Sequence, residues 1–285
     1  MVKSLIPAER HDRIQALLEQ RRVASISDLS DLLGVSEATI RRDLEALEGR
    51  GLLERTHGGA ILTRRLPMEP FYAQSAGLHP EEKRRIGAAA AALVDQGDTV
   101  FVNSGTTTAE VLRQVAARPD LTQATIITTN VVATLDLRHP GIEVHLLGGL
   151  YRPQSNAVVG DTALRALEQV YADKAVLGVD GFSLKRGLTT PVLAEAEIAR
   201  LMLARTLGDV VVVADSSKWG VVSNYEIGAV EQVQVLVSDD ALPADAADGL
   251  AGRGLRVIRA ADPAETSASA RPTAVAARED PNGHH

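Results

Sequence analysis

The chain has 285 residues, 45% of them hydrophobic and 24% charged, the balance of a soluble globular protein of about two domains. It holds no cysteine, which excludes disulfide scaffolds, thiolate zinc sites, iron–sulfur clusters and a cysteine nucleophile. The longest apolar runs, 88–94 and 210–214, fall far short of the roughly 20 residues a membrane span needs. The opening MVKSLIPAERHDR turns charged too early for a signal peptide, so a cytoplasmic protein is expected.

The net charge of −7 is unevenly spread. Residues 1–65 carry 11 Lys/Arg against 10 Asp/Glu, and ten of those cations are arginine, whereas the remaining 220 residues carry 19 against 27. Arginine suits bidentate contacts to phosphate and guanine. An acidic chain with a locally neutral-to-basic first quarter suggests two separate tasks.

In chain order, residues 7–22 read as a helix with Pro7 in its first turn and an apolar stripe of Ile14, Leu17 and Leu18. Residues 27–33 give a short second helix, Gly34-Val35 a turn, and Ser36 caps a third helix that Gly51 ends. Residues 52–55 and 60–63 read as short strands around a hairpin tip at His57-Gly58-Gly59. Three helices and a wing make a winged helix-turn-helix. At 100° per residue, Ile40, Leu44 and Leu47 of the third helix fall within about 60° of one another. Ala38, Arg42 and Glu45 lie opposite, flanked by Thr39 and Arg41. An apolar back with an arginine-bearing front is what a recognition helix needs, since its N-terminal residues enter the major groove. Ser36 can donate to a phosphate at the helix start, small Ala38 permits close approach to bases, and Arg41 and Arg42 can reach guanine edges or phosphates. An amphipathic helix used only for packing or dimerisation is the plainer alternative.

Residues 64–80 contain three prolines and no periodicity, so a linker is expected over 63–80, with Phe71 and Tyr72 as docking residues. Beyond it, strand patterns at 99–102, 125–128, 143–147, 175–179, 210–214, 233–237 and 255–258 mostly alternate with helical ones such as 81–95, 107–116 and 193–206. That alternation predicts an α/β domain over 81–260 with a mainly parallel sheet. Residues 261–285 are rich in Ala, Pro, Ser and charge and are expected to be disordered. His284 and His285 are read as tail rather than as a metal site, and neither a metal nor a cofactor is expected.

The segment Asn103-Ser104-Gly105-Thr106-Thr107-Thr108 passes from a strand end into a helix start, with four hydroxyls in five residues. Free amides, a positive helix end and a glycine that lets the backbone approach make this an anion site, against the commoner alternative of a simple N-cap. Further strand-end turns hold Thr129-Asn130, Gly148-Gly149 with Arg152, and Asp215 with Lys218. Strand carboxyl ends of an open α/β sheet share one edge, where ligands bind.

The run from Ile6 to Leu62, above all LLGVSEATIRRDL and RTHGGA, resembles the DNA-binding domain of the DeoR family of bacterial sugar-metabolism regulators. The resemblance implies a DNA-facing set of Ser36, Ala38, Thr39, Arg41, Arg42, Arg55, His57 and Gly58. The stretches NSGTTT, TTN, GGLYR, DKAVLGVDGFSLKRGLTT, EAEI and ADSSKWG resemble that family's effector domain, similar in fold to ribose-5-phosphate isomerase and coenzyme A transferases. They imply a phosphate loop of Ser104, Gly105, Thr106 and Thr107, with Thr129, Asn130, Gly149, Arg152, Asp180, Gly181, Glu195, Glu197 and Lys218 as further ligand residues. Asn103 departs from the family's usual Asp, either relaxing repulsion of an anion or changing which hydroxyl is read. The implied protein is a repressor that binds a double-stranded operator as a homodimer or homotetramer and is relieved by a phosphorylated sugar. Two alternatives stay open: a sugar-phosphate isomerase-like enzyme with an appended DNA-binding domain, and an architectural DNA-binding protein with a degenerate sensor.

Overall fold

The structure is a computed structural model that describes residues 6–21, 23–55 and 58–261. The readings of His57 and of the tail beyond Ala261 lie outside the described residues.

The first part runs α1 (Pro7–Arg21), β1 (Val23–Ser25), α2 (Ile26–Leu33), α3 (Glu37–Gly49), β2 (Leu53–Arg55) and β3 (Gly59–Leu62). Ser25 caps α2 and Ser36 caps α3, each accepting from a backbone amide three residues on. Ile14, Leu18, Leu29, Ile40, Leu44 and Leu47 are fully buried between the helices. The sheet has three strands, in the order β1-β3-β2 and antiparallel throughout. Strand β1, three residues long, has no periodicity of its own and escapes the sequence reading.

Next come β4 (Arg64–Leu66), α4 (Tyr72–Ala76), α5 (Pro80–Ala91), β5 (Thr99–Val102), α6 (Thr106–Ala116), β6 (Ala124–Thr128), α7 (Val131–Asp136) and β7 (Ile142–Leu146). They are followed by β8 (Leu150–Arg152), β9 (Ala157–Val159), α8 (Asp161–Leu167), β10 (Lys174–Gly178), β11 (Gly181–Ser183), β12 (Gly187–Thr190) and α9 (Leu193–Ala204). The last elements are β13 (Val210–Val213), β14 (Val221–Ser223), β15 (Tyr225–Gly228), β16 (Val235–Asp239), α10 (Ala244–Ala251) and β17 (Arg256–Ala260).

Seven strands form one parallel sheet in the order β17-β16-β13-β10-β5-β6-β7. They are the seven read from the sequence; inner strands covered on both faces become continuous apolar runs, as in β13, whose four valines are all buried, whereas the edge strands β7 and β17 are largely exposed or half-buried. From β5 the chain winds outward through β6 to β7, then returns to β10 on the other side of β5 and winds through β13 and β16 to β17. The order therefore reverses between β5 and β10, and a crevice opens there beyond the strand ends.

The stretch expected as a linker has structure of its own. Strand β4 pairs in parallel with β14, Arg64 opposite Val221, and the Tyr72 amide donates to the Gln154 carbonyl at 2.8 Å. Its order comes from partners some 80 to 155 residues away in sequence, which no local period can encode. Phe71 is exposed, whereas Tyr72 faces the crevice.

The wing packs on the large sheet unit. Successive strand residues point to opposite faces. Ala60 therefore enters the core between the three helices, while Ile61 enters the core around Phe182 and Trp219. On β2, Leu53 takes the first core, and Glu54 turns the other way to accept from the Lys185 amide. Burial raises the Glu54 carboxyl above its ordinary value, against the hydrogen bond from Ser183.

Candidate functional site

The exposed face of α3 carries Ala38, Arg41, Arg42 and Glu45, with Thr39 half-buried beside them. Ser36 Oγ accepts from the Thr39 amide at 3.3 Å and lies 2.9 Å from its hydroxyl. Arg41 pairs with Glu37 at 3.1 Å, both side chains more than half exposed. Such a pair holds the arginine by only about 0.3–0.5 kcal/mol and leaves it free to exchange partners. Gly58 is exposed at the wing tip and its carbonyl accepts from Ile26 at 2.8 Å; Arg55 is half-buried, its amide near Glu48.

The back of the same helix holds a feature the sequence reading misses. Asp43 is buried and takes both oxygens to Arg10 of α1, one of them at 2.8 Å from Nη2, while the His11 ring lies 3.0 Å away. Burial pushes the Asp43 carboxyl up, but the hydrogen bonds from Arg10 and His11 outweigh it and hold the group below the usual carboxylate range. This two-pronged contact fixes the rotation of α3, and so the direction of its exposed arginines.

The second site is the crevice between β5 and β10. It is lined by Asn103, Ser104, Gly105, Thr106 and Thr107 from the end of β5, by Asp180 after β10, by Glu195 on α9 and by Lys218 after β13. Adjacent strand ends bring these groups together from 115 residues of sequence. Gly105, the N-cap of α6, has φ 146°, a backbone region that side chains rarely enter. Thr108 is fully buried and donates to the carbonyls of Asn103 and Gly105, at 2.9 and 3.1 Å. Three of the four hydroxyl-bearing residues thus line the cavity, and the fourth holds the loop in shape.

Asn103 bridges the crevice floor. Its Nδ2 donates to the Gly178 carbonyl at 2.9 Å and its Oδ1 accepts from the Gly178 amide at 2.8 Å. A carboxylate could make the second bond but not the first. The amide thus also serves the backbone of β10, a role that a carboxylate could fill only in part.

The other sequence candidates have structural positions around this lining. Asn130, fully buried, caps α7 and donates to the Gly105 carbonyl at 2.9 Å, and Thr129 is buried beside it. A Cβ at Gly149 or Gly181 would collide with the backbone of Val159 or Val221, so both serve close packing. Arg152 stands behind the lining, ion-paired to Glu69 and, at 3.4 Å, to Glu195. Glu197 is exposed and does not line the cavity. Asp215 caps the turn 216–218, accepting from the Ser217 amide at 3.0 Å.

The sequence reading omits Glu69, Tyr72 and Ser75, which line the cavity from the 64–80 stretch, together with Ser155 and Thr190. Only the Tyr72 docking expectation pointed that way.

The electrostatics are two-sided. Burial raises the Asp180 carboxyl, against the pull of Lys218 and of Thr190, whose hydroxyl donates to it at 2.8 Å. Burial likewise lifts Glu195 to about 7. Free amides, hydroxyls and Lys218 favour an anion in the cavity, while Asp180 and Glu195 on the same lining can accept from hydroxyl donors.

A family model described as the DeoR-like helix-turn-helix domain matches residues 10–65, and one described as the DeoR C terminal sensor domain matches 78–240. The HTH-type transcriptional regulator GlpR of Haloferax volcanii is 37% identical over 89% of this chain and 98% of its own length. The HTH-type transcriptional repressor CsqR of Escherichia coli is 32% identical over 82% and 88%. Among solved structures, ribose 5-phosphate isomerase A of Methanocaldococcus jannaschii aligns over 49% of this chain and 54% of its own, with 19% identity and a TM-score of 0.36; so weak a likeness says nothing about function. Among the described residues no helix is long and apolar enough to cross a membrane. The chain is a DNA-binding transcriptional regulator, not an enzyme, and it belongs to the DeoR family.

Proposed function

We propose that this regulator represses carbohydrate-metabolism genes in the cytoplasm and is released from its operator by a phosphorylated sugar. Residues 1–62 read DNA through Ser36, Ala38, Thr39, Arg41, Arg42, Arg55, His57 and Gly58. Residues 81–260 bind the effector, and 63–80 join the two. The supporting observation is that one cavity gathers Ser104, Gly105, Thr106, Thr107 and Lys218 together with the carboxyls of Asp180 and Glu195. The first group suits a phosphate and the second suits sugar hydroxyls. A single winged helix makes few base contacts, so a homodimer or homotetramer on a repeated site is the assembly that gives useful affinity.

An operator titration with and without a panel of phosphosugars tests the reading. Release by 5- to 150-fold is the expected range for such coupling. Tighter binding with ligand reverses the sign, and no change with any phosphosugar favours an architectural role.

A further inference from the structure

Glu69 lies between Pro67 and Pro70, outside both units that the family models cover, yet it lines the sensor cavity. Its side chain is only 11% exposed. One carboxylate oxygen accepts from Arg152 Nη2, and the other is buried without a hydrogen-bond partner. Glu195 Oε1 is likewise buried without a well-aligned donor; Arg152 Nε lies 3.4 Å from it and the Ser155 hydroxyl is close enough to pull the carboxyl down, but neither is aligned for full donation. A buried acceptor without a donor is uncommon in a folded protein and calls for an explanation. Here two such oxygens, from separate elements, meet at one cavity that opens to ligand.

The segment bearing Glu69 is tied at both ends. Before it, β4 pairs with β14. Beside it, Gln154 Nε2 donates to the Glu69 carbonyl at 2.7 Å. After it, the buried Lys83 ammonium on α5 donates to the carbonyls of Ser75 and Leu78. The carboxylate is therefore held against the cavity rather than swinging free.

We infer that Glu69 is an effector-binding residue, which with Glu195 accepts hydrogen bonds from two hydroxyls of the sugar while the 104–107 loop takes the phosphate. This rests on the sugar-phosphate reading above and deepens it. The required ligand has a phosphate at one end and a polyol at the other, so inorganic phosphate alone engages only half the site. The connecting stretch then forms part of the binding site, and occupancy acts directly on the segment that leads to the wing.

Calorimetry on the full-length protein tests this with inorganic phosphate and with glycerol 3-phosphate, ribose 5-phosphate and fructose 6-phosphate as probes. Glu69→Gln keeps the shape and the Arg152 contact but replaces one acceptor oxygen with a donor. For the probe that wild type binds best, the variant is expected to lose about tenfold in affinity or more, with inorganic phosphate unchanged. Equal sugar-phosphate affinity in variant and wild type overturns the inference and leaves the sugar-phosphate reading intact. A parallel loss for inorganic phosphate also overturns it, because the defect is then structural. Wild type that binds none of the sugar phosphates removes the underlying reading, and the inference with it.

Discussion

Ile61 of the outgoing wing strand lies so close to Gly220 that a Cβ on residue 220 would sit 2.6 Å from the isoleucine Cδ1. Gly220 has φ +71°, its carbonyl accepts from the Arg64 amide at 3.0 Å, and it follows Lys218 by two residues. Between them, Trp219 packs on Phe182 with ring centroids 5.3 Å apart. The path from the cavity lining to the wing is thus three residues of chain and one packed side chain.

Gly220→Ala must strain a left-handed backbone and displace Ile61. The expected cost is about 1–3 kcal/mol in chemical denaturation. The operator response to effector is expected to weaken while effector affinity measured by calorimetry stays near wild type. A variant with wild-type stability and response would show that this contact couples nothing.

Asp43→Ala leaves Arg10 buried without its anion, which typically costs 3–5 kcal/mol. The sign with pH follows from the lowered carboxyl. Asp43 stabilises the fold above its ordinary unfolded pKa, and that contribution is lost as pH falls through the lower folded value. Denaturation of residues 1–62 between pH 2 and 7 should therefore show an acid limb that Asp43→Leu paired with Arg10→Met flattens. An unchanged limb in the double variant refutes the assignment.

Arg42→Ala removes an exposed side chain from the front of α3 and leaves the core untouched. Specific operator binding should weaken by about 1–3 kcal/mol if the arginine reads a base. A gel-shift titration that matches wild type takes Arg42 out of the reading set.

Thr106→Asp sets a carboxylate at the start of α6, where the phosphate is proposed to sit. Effector binding by calorimetry should disappear and operator binding without effector should survive. Retained effector affinity would move the phosphate elsewhere in the cavity.

Glu195, lifted to about 7 by burial, binds a proton in the folded state that the unfolded chain gives up near 4.5. Stability should therefore fall as pH rises from about 4.5 to 7. Glu195→Gln removes that slope and should be the more stable protein at pH 8, on the order of a few kcal/mol. Parallel pH–stability curves for the two proteins would contradict the lifted value.

The sequence by itself determined the repetitive and the local features. The inner strands of the parallel sheet are legible because burial on both faces leaves unbroken apolar runs such as 210–213, and the edge strands β7 and β17 because strand and helix patterns alternate along the chain. The recognition helix is legible because Ile40, Leu44 and Leu47 repeat at the helical period beside a serine cap. The Ser104–Thr107 turn is legible because its hydroxyls and glycine are contiguous. What depends on partners distant along the chain was decided by the tertiary structure alone. Glu195 and Glu197, two residues apart, stand about 200° apart on a helix, so only one can face the cavity, and the packing of α9 makes the choice. Asn103 lines the cavity, but that its amide also bridges the backbone of Gly178, 75 residues away, is visible only in the fold. Nothing local in the sequence pairs Asp43 with Arg10, 33 residues away, until their helices cross. Glu69 sits in an aperiodic, proline-flanked stretch, and becomes part of the cavity only because β14, Arg152 and Lys83 hold that stretch in place. Periodicity records which face of an element is buried, whereas the identity of what meets that face is set by topology.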